Sequence, residues 1–129
     1  MTNKKELKVL IIDDDDVMRS FLRMMLREAK VEYIDEVGTA AKANKVIIKN
    51  KYNLIFLDIN LPDIDGVKFI ADIKQKSPDT SIIMISGEAT TKRVKQAMQA
   101  GARDFIAKPF NAAIIESKAK QLLNELNNQ

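Results

Sequence analysis

The chain has 129 residues, 46% apolar and 30% charged, which suits one globular domain with a real core. It contains no cysteine and no histidine, which excludes disulfides, thiolate or ordinary zinc centres and His-dependent nucleophilic catalysis, so any metal must be a hard cation held by oxygen, such as magnesium or calcium. The net charge of +3 is scattered among nearby acids, and with no helix-turn-helix, zinc-finger or aromatic stacking pattern, direct nucleic-acid binding is not expected.

Residues 9–12, Val-Leu-Ile-Ile, read as a buried strand. The run is too short for a signal peptide or a membrane span, so a cytoplasmic protein that does not enter the membrane is expected. Directly behind it stand Asp13, Asp14, Asp15 and Asp16. Two carboxylates about 5 Å apart at an effective dielectric of about 20 repel by roughly 3 kcal/mol, so this run needs a reason. Apolar residues at Met18, Leu22, Met25, Leu26 and Ala29 predict a helix over 18–29. Asp16 is placed to cap that helix, where its charge also suits the dipole. No role is assigned to Asp15.

A strand over 33–37 follows, then a helix over 39–49 with Ala40, Ala43, Val46 and Ile47 inward. Residues 54–57 form a second wholly apolar strand, 61–66 are turn chemistry, and 67–74 make a short helix. The fourth strand is 81–85. Residues 88–100 read as a helix ended by Gly101, since glycine suits the left-handed position past a helix end. A short strand over 105–107 precedes a last helix over 112–126, with Ile115, Ala119, Leu122 and Leu126 on one face. Strict alternation of five strands and five helices predicts a parallel sheet covered on both faces.

In such sheets ligands bind beyond the carboxyl ends of the strands. Asp13-Asp14 follow strand 1, Asp58 follows strand 3, Ser86-Gly87 follow strand 4 and Lys108-Pro109 follow strand 5. Acids from strands 1 and 3 with a nearby carbonyl can cage magnesium. Asp58 leaves a rigid apolar strand, and a carboxylate can act as nucleophile toward phosphorus. Magnesium and Lys108 would neutralise the transferring group, while Ser86 and the Gly87 amide hydrogen-bond its oxygens. Each residue alone has an ordinary explanation as a cap or turn former. Their joint placement, each directly after its own strand, does not.

Four segments carry a resemblance: Asp13-Asp14 behind the first strand, residues 57–66 (Leu-Asp-Ile-Asn-Leu-Pro-Asp-Ile-Asp-Gly), Ile85-Ser86-Gly87, and Lys108-Pro109-Phe110. Over essentially its whole length the chain resembles the receiver domain of two-component response regulators, of a single-domain, chemotaxis-regulator-like kind. The resemblance implies one domain over 1–129 and a flavodoxin-like (βα)5 three-layer sandwich of strand order 2-1-3-4-5. It implies that Asp58 accepts a phosphoryl group from a histidine kinase or a histidine phosphotransfer protein. Asp14, Asp58 and the Asn60 carbonyl would contact magnesium directly, with Asp13 acting through water, and Lys108 would bind the phosphoryl group with a cis bond to Pro109.

Ser86 and Phe105 would be the switch, and Asn60 and Glu88 would set the lifetime of the phosphate. The Asn60/Glu88 pair resembles chemotaxis-type regulators. Phe105 lacks the hydroxyl of a tyrosine, and Ser86 stands where threonine is commoner. A downstream target would bind the face made by helix 4, strand 5 and helix 5. Such a chain assists only its own phosphorylation and dephosphorylation. Val17, Phe21 and Met24 on the first helix, and Ile114 on the last, either finish the core or dock a kinase or phosphotransfer helix.

Three other readings compete. Asp13-x-Asp15 after an apolar strand also matches the opening of haloacid-dehalogenase-like phosphatases, with Asp13 as nucleophile, but that leaves Asp58 unexplained. A binding-only pseudo-receiver would not need the full set of phosphorylation residues. The polar end, residues 124–129, suits a stand-alone protein rather than a piece cut from a longer regulator.

Overall fold

The strand segments 9–12, 54–57 and 82–85 are apolar at every position, as expected of strands buried on both faces. In the computed structural model, which describes residues 5–128, they lie in the middle of the molecule. The strands β1 (Lys8–Ile12), β2 (Tyr33–Val37), β3 (Leu54–Asp58), β4 (Ser81–Ser86) and β5 (Asp104–Ala107) alternate with five helices. These are α1 (Asp16–Glu28), α2 (Ala40–Lys49), α3 (Gly66–Lys76), α4 (Thr91–Ala100) and α5 (Ala112–Asn127). All pairings are parallel and the order is β2-β1-β3-β4-β5, the flavodoxin-like arrangement anticipated from the sequence.

The side-chain period of a strand sends alternate residues to opposite faces, and two cores result. Leu10, Ile12, Ile55, Leu57, Ile82 and Met84 pack against α2, α3 and α4. Val9, Ile11, Leu54, Phe56, Ile83 and Ile85 pack against α1 and α5. The registers Ile12↔Val37, Ile12↔Leu57, Asp58↔Ile85 and Ser86↔Ala107 bring the carboxyl ends of the strands level. Whatever follows each strand is thereby delivered to one rim.

The starts of α1 and α4 differ most from expectation. Asp15, not Asp16, caps α1: its backbone is extended and its side chain accepts from the amides of Val17 at 2.9 Å and Met18 at 3.3 Å. Asp16 is the first helical residue and pairs with Arg19 instead. Similarly α4 starts at Thr91, with Thr90 as the cap accepting from the Arg93 amide, whereas residue 88 was the expected start. The Glu88 amide is already taken by the Ser86 hydroxyl at 2.9 Å, so residues 88–90 stay in the loop. Gly101 does end α4, at a φ of 117°. Val17, Phe21, Met24 and Ile114 are exposed and do not finish the core.

Candidate functional site

Asp13 and Asp58 are buried, 2% and 7% exposed, while Asp14 beside them is open to solvent. Carboxylate oxygens of the three lie within 4.8 Å of one another. Asp58 is the last residue of β3, so its position is set by the sheet, and Asp13 continues β1 by donating its backbone N–H to the Val37 carbonyl at 3.1 Å. Lys108 Nζ reaches both buried acids, at 3.2 Å from Asp13 Oδ2 and 3.7 Å from Asp58 Oδ2. Its bond to Pro109 is cis, as expected.

One ammonium among three carboxylates leaves an excess of negative charge. Burial first, and the Asp13 charge second, push the Asp58 carboxyl up to about 6. Lys108 and the Asn60 amide, which donates to Asp58 Oδ1 at 3.4 Å, pull the other way without cancelling this. The donors are all oxygen, clustered and mostly anionic, with no nitrogen or sulfur ligand. That set fits a hard divalent cation such as magnesium and suits few other metals.

Of the remaining predicted residues, Ser86, Gly87, Asn60 and Glu88 follow or end strands β3 and β4, while Phe105 lies near the start of β5. Ser86, the last residue of β4, is fully buried, and its hydroxyl accepts from the Glu88 amide. Among the described residues that hydroxyl makes no second hydrogen bond, which leaves its proton available to donate. Gly87 is exposed, and a Cβ there would meet nothing within 4 Å. Asn60 Nδ2 donates to Glu88 Oε1 at 3.3 Å, joining the loops behind β3 and β4. Phe105 sits opposite Met84 on the edge strand, half-buried against the core under α2, α3 and α4.

Two residues at the rim have roles that the sequence did not assign, although Gly66 stands at the end of the 57–66 segment. Gly66 opens α3 with its amide bonded to the Ile59 carbonyl at 2.6 Å; a Cβ there would lie 2.3 Å from the Asp58 carbonyl oxygen. No sequence signal distinguishes this crowded glycine from a free one, since both Gly66 and Gly87 stand in turn segments. Arg19 donates to the Asp13 main-chain carbonyl, a contact between residues six apart that no motif announces. Next to α3, Asp65 caps the helix and pairs with Arg93 of α4 at 2.8 Å. Burial opposes its charge, but the bonds from Arg93 and the Val67 amide outweigh this and hold the Asp65 carboxyl below its ordinary value.

The haloacid-dehalogenase alternative finds no support. The Asp15 carboxylate, which it requires as an acid, caps α1, and Asp58, which it leaves idle, lies inside the cluster. Comparison with known proteins agrees. A family model for the response regulator receiver domain matches residues 9–120. The chemotaxis protein CheY of Listeria monocytogenes is 35% identical over 106 residues, 82% of this chain and 89% of that protein. A two-component response regulator from Clostridium difficile superposes with a TM-score of 0.89 at 31% identity, covering 95% of this chain and 99% of that one. A response regulator from Burkholderia pseudomallei, solved with a phosphorylated aspartic acid, calcium ion and citrate, superposes with a TM-score of 0.82. It is 25% identical and covers 95% of this chain and 72% of the other.

Proposed function

The chain belongs to the response regulator receiver domain family, and we propose that within it Asp58 is the phosphoacceptor of a two-component or phosphorelay pathway. The observation that carries this is the placement of Asp58: it is fixed at a strand end, within 4.8 Å of two further acids and 3.7 Å from Lys108. The Burkholderia relative carries a phosphorylated aspartic acid and a calcium ion, which supports the same chemistry here.

In this reading a carboxylate oxygen of Asp58 forms the new O–P bond as the N–P bond to a donor histidine breaks and its electron pair returns to the imidazole. Asp14, Asp58 and the Asn60 carbonyl would hold magnesium directly and Asp13 through water, and the ion would supply positive charge against the phosphoryl oxygens. Lys108, already between Asp13 and Asp58, adds a second positive charge and binds the phosphoryl group. Ser86 offers its uncommitted hydroxyl proton, and Gly87 its amide, to the phosphoryl oxygens. Asn60 and Glu88, bridged by a hydrogen bond between their side chains, set how long the phosphate survives.

Receiver domains are signalling domains, and a ligand shifts such a domain only through contacts that differ between its states. Here the differential contact is Ser86 with the phosphoryl group, and Phe105 turns inward into the space that Ser86 vacates. The surface so altered is α4, β5 and α5, where Met98 and Ile114 are exposed and a downstream protein binds. The donor, a histidine kinase or a histidine phosphotransfer protein, docks on the apolar stripe Val17, Phe21 and Met24 of α1. Residues 1–129 act as one domain in the cytoplasm, without a nucleic-acid partner, and catalyse only their own phosphorylation and dephosphorylation. No helix among the described residues is long and apolar enough to cross a membrane.

Beryllofluoride, a phosphoryl mimic, tests the switch. With Mg2+ it should shift the NMR amide signals of Asp58, Ser86, Gly87 and Phe105. Spectra unchanged at those positions would leave a binding-only domain.

A further inference from the structure

Arg19 sits one turn into α1 with its guanidinium turned back toward the strand ends, and all three of its nitrogens are engaged. Nε donates to Glu36 Oε1 of β2 at 3.1 Å, one terminal nitrogen pairs with Asp16, and the other donates to the main-chain carbonyl of Asp13. Gly38, just past β2, makes the room: a Cβ there would lie 3.3 Å from the guanidinium nitrogen that holds Asp13. With this bond every polar group of Asp13 is tied. Its amide donates to Val37, and its carboxylate accepts from the Asp15 amide and Lys108. Asp14 is the opposite case, for its carboxylate is exposed and no side-chain hydrogen bond or ion pair holds it among the described residues. The peptide between residues 13 and 14 sets the Cα from which that carboxylate extends.

We infer that Arg19 is a positioning residue for the acid pair, fixing through the Asp13 carbonyl the peptide from which Asp14 is presented to a divalent cation. This rests on reading the acid rim as a cation site. Charge and position make opposite predictions here. Removing a positive charge near three carboxylates favours a cation by Coulomb's law. Loosening a ligand's support disfavours it, by about tenfold or more where such partners have been removed.

Mg2+ affinity measured by isothermal titration calorimetry decides between them, with thermal unfolding to check that each variant folds. Arg19→Gln should bind Mg2+ about tenfold more weakly despite the lost positive charge. Gly38→Ala keeps every charge and crowds the guanidinium, meeting the Asp13 carbonyl and the Asp14 Cα only at ordinary contact distance, and should weaken binding by about two- to fivefold. It carries the test if Arg19→Gln does not fold. Arg103→Gln, which breaks an ion pair with Glu125 at the opposite end of the sheet, should bind as the wild type does. Binding by Arg19→Gln as tight as wild type or tighter, or by Gly38→Ala unchanged, would overturn the inference. Asp14→Asn should abolish binding; if it does not, or if the wild type binds no Mg2+, the cation site itself falls and the role of Arg19 with it.

Discussion

Asp58 is held at a disadvantage that its proposed chemistry relieves. Its carboxyl titrates near 6 in the fold against 3.8 for the ordinary group, chiefly because it is buried and faces Asp13. Between those values the folded state binds more protons than the unfolded chain, so stability falls as pH rises through that window. Asp58→Asn, which cannot ionise, should therefore stabilise the metal-free protein at pH 7 by about 1–2 kcal/mol. The gain should vanish below about pH 4, and urea unfolding across that range measures it. Two glycines at the rim should respond very differently. Gly66→Ala drives a Cβ into the Asp58 carbonyl and the Ile59 backbone and should cost about 2–4 kcal/mol. Gly87→Ala meets open space and should stay within about 0.5 kcal/mol; thermal unfolding separates the two. Their difference could not be read from the sequence, since glycine looks the same whether it is crowded or free.

Helix starts were the least legible elements, and the reason is redundancy of caps. Four consecutive aspartates can each accept an amide hydrogen bond, so the sequence does not say which has the extended backbone that a cap needs. Asp15 has it, and Asp13 spends one oxygen on the Asp15 amide, which bends the chain into α1. Asp15→Ala should accordingly cost about 1 kcal/mol in chemical denaturation. Asp16→Ala, which loses only an exposed partner of Arg19, should cost less than half of that. At α4 the competition was between Glu88 and Thr90, and the bond from the Glu88 amide to Ser86 decided it. The strands were far easier: their unbroken apolar runs announced burial on both faces, and both cores formed from alternate residues of those runs.

At the scale of the whole molecule, strict alternation of strand and helix was enough to give the parallel sheet, and the sheet did the rest. It brought Asp13, Asp14, Asp58, Ser86 and Lys108, up to 95 residues apart in the chain, to one rim. Residues directly behind a strand were therefore legible as a site, whereas Arg19, placed there from inside a helix, was not. The exposed stripe of Val17, Phe21 and Met24 lies on α1, the helix that opens directly behind the Asp13–Asp15 run at this rim. Peptide mapping by mass spectrometry after exposure to acetyl phosphate and Mg2+ tests the central claim most directly. One phosphoryl group on Asp58, lost in Asp58→Asn and on chelation of Mg2+, is the predicted result; label on Asp13, or label that persists in a folded Asp58→Asn variant, would contradict it.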